Sequence, residues 1–131
     1  MHMKKLFAVA ILASASLSAS AQTANAYDQC LNDTGGNMPA MIDCASEEAK
    51  RQDKRLNAVY KVAMGRVANK DNLRNTQRAW IKERDKACGT SGENYVAEDG
   101  EVEGGQTGWL MHHECVARKT AQRADELEAM K

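Results

Sequence analysis

Four cysteines in a short chain constrain the fold more than any other feature of this sequence. Cys30, Cys44, Cys88 and Cys115 form an even set among 131 residues, which is the pattern of a small exported domain held by two disulfides. Zinc is disfavoured because no two cysteines have C-x2-C spacing, and because adjacent histidines, His112 and His113, point in different directions on a helix. Pairing all four cysteines leaves no free thiol to act as a nucleophile.

The first residues have the three parts of a secretory signal peptide. A positively charged start, MHMKK, precedes the apolar run LFAVAILA and a stretch of small residues. Two A-x-A sites predict cleavage after Ala21 or after Ala26. The apolar run is too short to span a bilayer, which disfavours an uncleaved anchor, and no lipobox precedes Cys30. We therefore predict a signal peptide at residues 1–21, with residue 26 as the alternative end, and a periplasmic or secreted bacterial protein.

Apolar and small residues recur at helical spacing in three segments of the remaining chain. The predicted helices run from about Cys44 to Val67, from Leu73 to Cys88 and from Trp109 to Met130. Asp71 or Asn72 is the expected N-cap of the second helix, and Gly89 is expected to end it. The head, from Tyr27 to about Ile42, contains two glycines and the only proline, and is predicted as turn with one short helix.

The fold class that follows is all-α. We predict a small antiparallel three-helix bundle with a short N-terminal helical or turn segment, stapled by two disulfides. In such a bundle Cys44, Cys88 and Cys115 lie at the same end, so geometry alone leaves three connectivities open. Short loops close more readily, which favours Cys30–Cys44 together with Cys88–Cys115.

Polar side chains interrupt the stripes along which these helices should pack. The stripe of the second helix contains Arg84, and that of the third contains Arg123. A buried guanidinium needs a partner, because an isolated buried charge is prohibitively costly. Asp53 on the first helix is the expected partner of either arginine, and Asp85 is the second candidate. The polar seam, interpreted as setting helix register, comprises Asp53, Asn57, Gln77, Trp80, Arg84, Asp85, Thr120 and Arg123.

Three segments carry an ordered pattern. They are DKRLNAVY at residues 53–60, LRNTQRAWIKERDKAC at residues 73–88, and the spaced residues Cys115, Thr120, Arg123 and Leu127. This pattern, with the upstream cysteine pair, resembles the LprI family of exported bacterial proteins. The resemblance implies a small, helical, disulfide-bonded domain over residues 27–131. It also implies inhibition of lysozyme, the activity for which the family is named.

Charge is segregated along a chain that is neutral overall. The full sequence has 18 basic and 18 acidic residues, and loss of Lys4 and Lys5 with the signal peptide leaves 16 basic and 18 acidic, a net charge of −2. Residues 50–86 carry 12 basic and 4 acidic side chains, whereas residues 90–108 carry five acidic side chains and no lysine or arginine. A contact of the basic helices with nucleic acid is disfavoured because the protein is exported.

The acidic, glycine-rich segment is the best candidate for a partner-binding loop. It suits a cationic protein partner, and many lysozymes are strongly basic. The alternative is a solvated loop without a partner. A calcium site is disfavoured because EDGEVEGG lacks the D-x-D-x-D-G order. The candidate residues are Glu93, Tyr95, Glu98, Asp99, Glu101 and Glu103.

The sequence contains no nucleophile–base pair, metal cluster or phosphate-binding loop, so no catalytic residue and no cofactor is predicted. The first hypothesis is a binding protein that blocks a lysozyme or another cell-wall hydrolase. The second is an immunity-type protein that neutralises a secreted bacterial toxin, and the third is a structural or assembly protein of the envelope without inhibitory activity. In each case we expect a protein partner, no nucleic acid, and no membrane anchor after signal cleavage.

Overall fold

The computed structural model describes the backbone of residues 19–130 and the side chains of residues 26–130. Residues 1–18, which hold most of the predicted signal peptide, lie outside this range. The described chain forms α1 (Ala19–Asp33), α2 (Met38–Arg66), α3 (Lys70–Cys88), a 3-10 turn (Gly92–Asn94), β1 (Tyr95–Val96), β2 (Val102–Glu103) and α4 (Gly105–Glu128). The predicted all-α fold is confirmed. Between residues 19 and 130, none of the helices has the length and apolar character needed to span a bilayer.

The N-terminal half is more helical than the sequence predicts. The head was expected to be mostly turn, but α1 extends to Asp33 and α2 already begins at Met38. Asn37 caps α2, because its side-chain oxygen accepts a hydrogen bond from the backbone N–H of Ala40 at 3.0 Å. Pro39 lies in the first turn, where its missing N–H is not needed. Asn37 and Pro39, which are common in turns, therefore begin a helix here.

The predicted C-terminal end of α3 is confirmed, and its predicted N-terminal end is wrong. Its N-cap is Asn69, whose side chain accepts from the backbone N–H of Asn72 at 2.9 Å, so the predicted cap at Asp71 or Asn72 is wrong. Asn69 precedes those residues, and the first suitable side chain in the polar break begins the helix. Gly89 follows the last residue of α3 with φ +71°, which confirms the predicted stop.

Within the described part of the chain, helices α2 and α4 contact each other more extensively than any other pair of elements, and they run in the same direction. Early in α2, Glu48 lines a groove together with Glu114 near the start of α4. Late in α2, Arg66 lines a second groove together with Glu128 at the end of α4. Contacts that advance along both helices in the same order require a parallel pair.

Helix α3 runs antiparallel to α4. Cys88 at the end of α3 is bonded to Cys115 in the first half of α4, while Gln77 contacts Arg123 further along α4. Helix α1 folds back on α2 through a turn at residues 34–37, and Cys30 is bonded to Cys44 across this corner. The three long helices therefore have the predicted up-down-up order.

The apolar core is small and lies in two places. The larger cluster contains Leu56, Ala63, Leu73, Ala124 and Leu127 where α2, α3 and α4 meet. The smaller cluster contains Cys88, Cys115 and Tyr95. In the described chain the largest completely buried side chains are Leu127, Thr120 and Cys88. Because so few large apolar groups leave water, covalent cross-links contribute a large share of the stability of such a domain.

The disulfide pairing that the short loops favour is confirmed. Cys30–Cys44 closes a separation of 14 residues, and Cys88–Cys115 closes one of 27 residues. The first bond holds α1 on α2, and the second joins the end of α3 to α4.

We expect the double variant C88S/C115S to be less stable than C30S/C44S. The loop-entropy relation gives losses of about 3.5 and about 3 kcal/mol respectively, and the first variant also loses a buried apolar cluster. Urea denaturation of both variants and of the parent measures the two free energies of unfolding. An equal or larger loss in C30S/C44S would contradict the importance assigned to the Cys88–Cys115 end.

Candidate functional site

The acidic segment forms a compact hairpin on the Cys88–Cys115 end of the bundle. Strands β1 and β2 are antiparallel, with Tyr95 opposite Glu103 and Val96 opposite Val102. The two members of each pair project to the same face of a hairpin, and successive residues project to opposite faces. One face therefore carries Tyr95 and Glu103, and the other carries the two valines. The sequence predicted a loop here and gave no sign of strands this short.

The inner face of the hairpin is anchored in the protein. Tyr95 is only 9% exposed and packs in the cluster of the disulfide Cys88–Cys115. Tyr95 is predicted as part of the partner-binding surface; the structure places most of its side chain beneath the hairpin. Its burial instead fixes where the surrounding acidic residues lie.

Two glycines allow the hairpin to approach the start of α4. A Cβ on Gly92 would lie 2.3 Å from the Cα of Trp109, and a Cβ on Gly108 would lie 2.2 Å from the carbonyl oxygens of Glu103 and Gly92. Both distances are well inside van der Waals contact, so only glycine fits without moving the backbone. The 3-10 turn is further held by Asn94, whose side-chain oxygen accepts from the backbone N–H of Ser91 at 3.0 Å.

The tip of the hairpin is closed by its own polar groups. The side chain of Asp99 accepts a hydrogen bond from the backbone N–H of Glu101 at 3.1 Å, and Gly100 adopts φ +86°. The N–H of Ala97 donates to the carbonyl of Glu101, and the N–H of Gly100 donates to that of Ala97, both at 2.9 Å. These contacts give the tip a defined turn.

The outer face presents an exposed apolar pair. Val96 is 49% exposed and Val102 is 65% exposed, which makes them two of the exposed large apolar side chains of the described chain. Of the five acidic side chains of this segment, Glu103 is half-buried and four are exposed, namely Glu93, Glu98, Asp99 and Glu101. Five of the six predicted loop residues thus lie at or near the surface, and the structure adds the two valines, which the sequence did not single out.

A groove of about 450 Å³ lies beside this end of the bundle, between α1, α2 and α4. Across it the hydroxyl of Tyr27 donates a hydrogen bond to Glu114 Oε1 at 2.6 Å. Burial raises the pKa of the Tyr27 hydroxyl above its usual value of 10, and the hydrogen bond to Glu114 and the negative charge of Glu114 raise it further. Glu114 and Arg118 also line a second groove of about 430 Å³ with Tyr95, Glu98 and Asp99, so the two grooves adjoin.

Arg123 of the predicted polar seam lies inside the protein. It is 8% exposed, its Nε donates to Gln77 Oε1 at 2.9 Å, and its Nη1 pairs with Glu126 Oε2 at 2.9 Å. Thr120, one turn earlier on α4, is completely buried. Gln77 on α3 and Arg123 on α4 therefore bridge two helices, with the carboxylate supplied by α4 itself.

Arg84 lies at the edge of the same seam. Its side chain is 18% exposed, and its Nη2 pairs with Asp85 Oδ1 at 2.9 Å, so the second candidate is the partner observed. The guanidinium also lies 5.2 Å from the centre of the Trp80 ring, within the range of a cation–π contact.

The assignment of Asp53 and Asn57 to the seam is wrong. Both side chains are exposed on α2, and Asn57 Nδ2 lies 3.5 Å from Asp53 Oδ2. They follow Gln52 and Leu56, which are buried. A step of one residue turns a side chain by about 100° around a helix, so the neighbours of buried residues face solvent here.

Helix α2 carries a buried polar stripe that the sequence did not predict. Arg55 is 8% exposed, and its Nη2 pairs with Asp125 at 2.6 Å and with Glu128 at 3.0 Å. Burial lowers the pKa of Arg55, but the hydrogen bonds and charges of the two carboxylates outweigh it and the net change is upward, so the guanidinium stays charged. Glu48 and Gln52 continue the stripe, with Gln52 Nε2 donating to Glu48 Oε1 at 2.7 Å. The spacing of these residues in the sequence could have indicated the stripe, because they recur every three or four positions on the side of α2 that faces α4.

The adjacent histidines, His112 and His113, contact neighbouring parts of the protein. Nδ1 of His112 lies 2.9 Å from the carbonyl oxygen of Cys88, and the rings of both histidines contact Trp109. Burial, followed by the nearby charges of His112 and Lys50, lowers the pKa of His113. Among residues 26–130, no group of three or more His, Cys, Asp or Glu side chains is arranged to hold a metal ion.

A family model described as lysozyme inhibitor LprI matches residues 30–127. The chain belongs to the LprI family. The match begins at the first cysteine and ends at the last buried leucine of α4, so both disulfides, the polar seam and the hairpin lie inside the family domain. Among curated proteins and solved structures, none matches this chain.

The Tyr27–Glu114 contact predicts a loss of stability at alkaline pH. Because the pKa of Tyr27 is higher in the folded state, the unfolded state releases this proton first, and the stability contribution present below pH 10 decreases as the pH rises above that value. The free energy of unfolding should therefore fall less steeply between about pH 10 and 11.5 in Tyr27→Phe than in the parent. Urea titrations at several pH values measure the slopes, and Tyr60→Phe serves as the control. Equal slopes in Tyr27→Phe and the parent would contradict the assignment.

Proposed function

We propose that this LprI protein is exported and inhibits a basic lysozyme, or a similar cell-wall hydrolase, by binding it through the outer face of the acidic hairpin. Membership of the LprI family supports inhibition of lysozyme. The observation that carries the choice of surface is the hairpin itself, an exposed element without any lysine or arginine that is fixed on a disulfide-bonded base.

Charge complementarity is the first support for this surface. Residues 90–108 contribute five negative charges and no positive ones, so the hairpin creates a local negative field although the whole protein is near neutrality. A field of this kind attracts a cationic partner, raises the rate of encounter and favours one orientation of docking. Such an attraction weakens with increasing ionic strength, because exposed charges are screened.

The exposed valine pair is the second support. Val96 and Val102 lie opposite each other, and about half or more of each side chain is left in water by the fold of the isolated chain. Protein interfaces commonly place apolar side chains at the centre and polar groups around them, where the polar rim excludes water. The hairpin combines both kinds of group, with the exposed valine pair on its outer face and exposed carboxylates in the same segment.

The anchored base is the third support. Gly92, Gly108 and Tyr95 fix the hairpin against α4 and the disulfide, so little conformational freedom is left to lose when it binds. The proposed inhibition involves no chemical reaction on the part of this protein. A hairpin seated over the substrate cleft of a hydrolase prevents access of the glycan, and this occlusion is the mechanism of the proposed inhibition.

Export follows from the same proposal. The target acts on the cell wall, and two disulfides are typical of proteins that fold outside the reducing cytosol. We propose that the signal peptide of residues 1–21 is removed and that the mature domain works in the periplasm or outside the cell.

The mature protein should slow the hydrolysis of a soluble chito-oligosaccharide by a basic c-type lysozyme, and more strongly at low salt. In E98Q/D99N/E101Q the concentration for half-inhibition should rise roughly tenfold, since three exposed charge interactions are lost. Asparagine at position 99 keeps the side-chain oxygen that closes the turn. The matched control D43N/D53N/E83Q removes three exposed carboxylates elsewhere and should inhibit like the parent. Equal weakening by both triple variants would remove the hairpin from the site.

The valine pair gives a second, charge-independent test. V96S/V102S should raise the concentration for half-inhibition by about tenfold or more at high and low salt alike, because apolar area is no longer buried in the complex. The control V62S/I81S alters the other two large apolar side chains that are exposed among residues 26–130 and should leave inhibition unchanged. If neither double variant changes inhibition, the outer face of the hairpin is not the contact surface.

A further inference from the structure

Five basic residues form a continuous ridge along α3. Lys70, Arg74, Arg78, Lys82 and Lys86 are spaced by four residues over the whole length of the helix, and all five are exposed. We call this set the basic ridge. Residues four apart on a helix are neighbours, so the charges follow one another without interruption.

The ridge crosses the free side of α3 obliquely. Each step of four residues advances by about 6 Å and rotates by about 40°, so the five residues extend over about 24 Å and turn through about 160°. The opposite side of α3 packs on the bundle, where Leu73 and Cys88 are buried. The centre of the ridge therefore faces away from α4.

The fold compensates this charge only in part. In the described part of the chain Arg74 is the one ridge residue with an ion-pair partner, Asp71 at 2.7 Å, and that pair is exposed. Like charges at a spacing of four residues destabilise a helix by a few tenths of a kcal/mol per pair. The ridge contains four such pairs in succession, so the stability of the domain gives no reason for it.

We propose that the basic ridge binds a linear, flexible polyanion, namely an envelope glycan that carries phosphate or carboxylate groups. Charge complementarity supports an anionic partner, and the continuous row of single charges suits a repeating one. This inference concerns a different surface from the hairpin and does not depend on inhibition of lysozyme.

The shape of the ridge favours a flexible chain over a bilayer. A flat membrane faces only part of a ridge that turns through about 160°, whereas a flexible polymer can follow all of it. Large exposed apolar side chains on α3 are limited to Ile81, which is 40% exposed, and one such residue is too little to insert a helix into a membrane interface. Two disulfides indicate an oxidising compartment, where anionic glycans are more abundant than nucleic acids.

Binding of an envelope glycan at the basic ridge would hold the protein close to the cell wall, where the hydrolases act. The ridge belongs to α3, and the hairpin is anchored on α4 and the disulfide, so the two surfaces share no residue. The two proposed contacts therefore use different residues.

Mature protein should bind polygalacturonate, as the carboxylate probe, or long-chain polyphosphate, as the phosphate probe, in low-salt buffer. In R78Q/K82Q/K86Q the affinity should fall by about tenfold, and the slope of log affinity against log salt should flatten by about 2, because three ion contacts of about 0.7 each are removed. K50Q/K54Q/K61Q removes three exposed lysines from α2 and should bind nearly as well as the parent. Isothermal titration at several salt concentrations measures these quantities, and preference for one probe identifies the anionic group.

Three results would overturn the proposal. They are absence of binding to both probes at low salt, equal loss in the α2 and α3 variants, and tighter binding to vesicles containing phosphatidylglycerol than to either polymer. Glutamine is a good helix former, so the ridge variant should keep its helix content by circular dichroism and should melt no lower than the parent. Its inhibition of lysozyme on the soluble neutral substrate should equal that of the parent, which separates this proposal from that for the hairpin.

Discussion

The disulfide between Cys88 and Cys115 is the constraint on which the arrangement of this protein most depends. It joins the end of α3 to α4, and Tyr95 packs on it from the hairpin, so one covalent bond sets the positions of three elements. The segment between the two cysteines is rich in glycine and contains strands of only two residues each, which could not be stable by themselves. With its ends tied and its tyrosine buried, the same segment becomes a defined surface feature.

Buried arginines tie the rest of the bundle together. Arg55 connects α2 to Asp125 and Glu128 of α4, and Arg123 connects α4 to Gln77 of α3. In each case the guanidinium is inside while its carboxylate partners remain partly in water, which limits the cost of removing the pair from solvent. Apolar residues in their place could give equal stability, but the hydrogen bonds of a guanidinium have directions. Those directed contacts join α2 to α4 and α4 to α3.

The sequence predicted the parts of this fold that depend on local pattern. Helical spacing identified α3 and α4, Gly89 marked the end of α3, and loop length favoured the observed disulfides. It failed where a residue has two common uses, since Asn37 and Pro39 occur in turns and also at helix starts. It also failed where the orientation of a helix decides the outcome. Asp53 and Arg55 are two residues apart on α2, yet only the position of α4 determines that Arg55 is buried and Asp53 is not. The burial of Tyr95 likewise depends on where the disulfide lies.

The segregation of charge is the feature that links the fold to recognition. A near-neutral protein that needed its charges only for solubility would be expected to intersperse the two signs, since local ion pairs are mildly favourable and rows of like charge are not. Here the hairpin is acidic throughout, and the exposed ridge of α3 is basic throughout. The two lie on different elements, with one on the loop that the disulfide anchors and the other on the exposed side of a helix. Because exposed charges act mainly within a screening length of about 10 Å, a local excess of one sign can select a partner of opposite charge while the whole molecule stays nearly neutral.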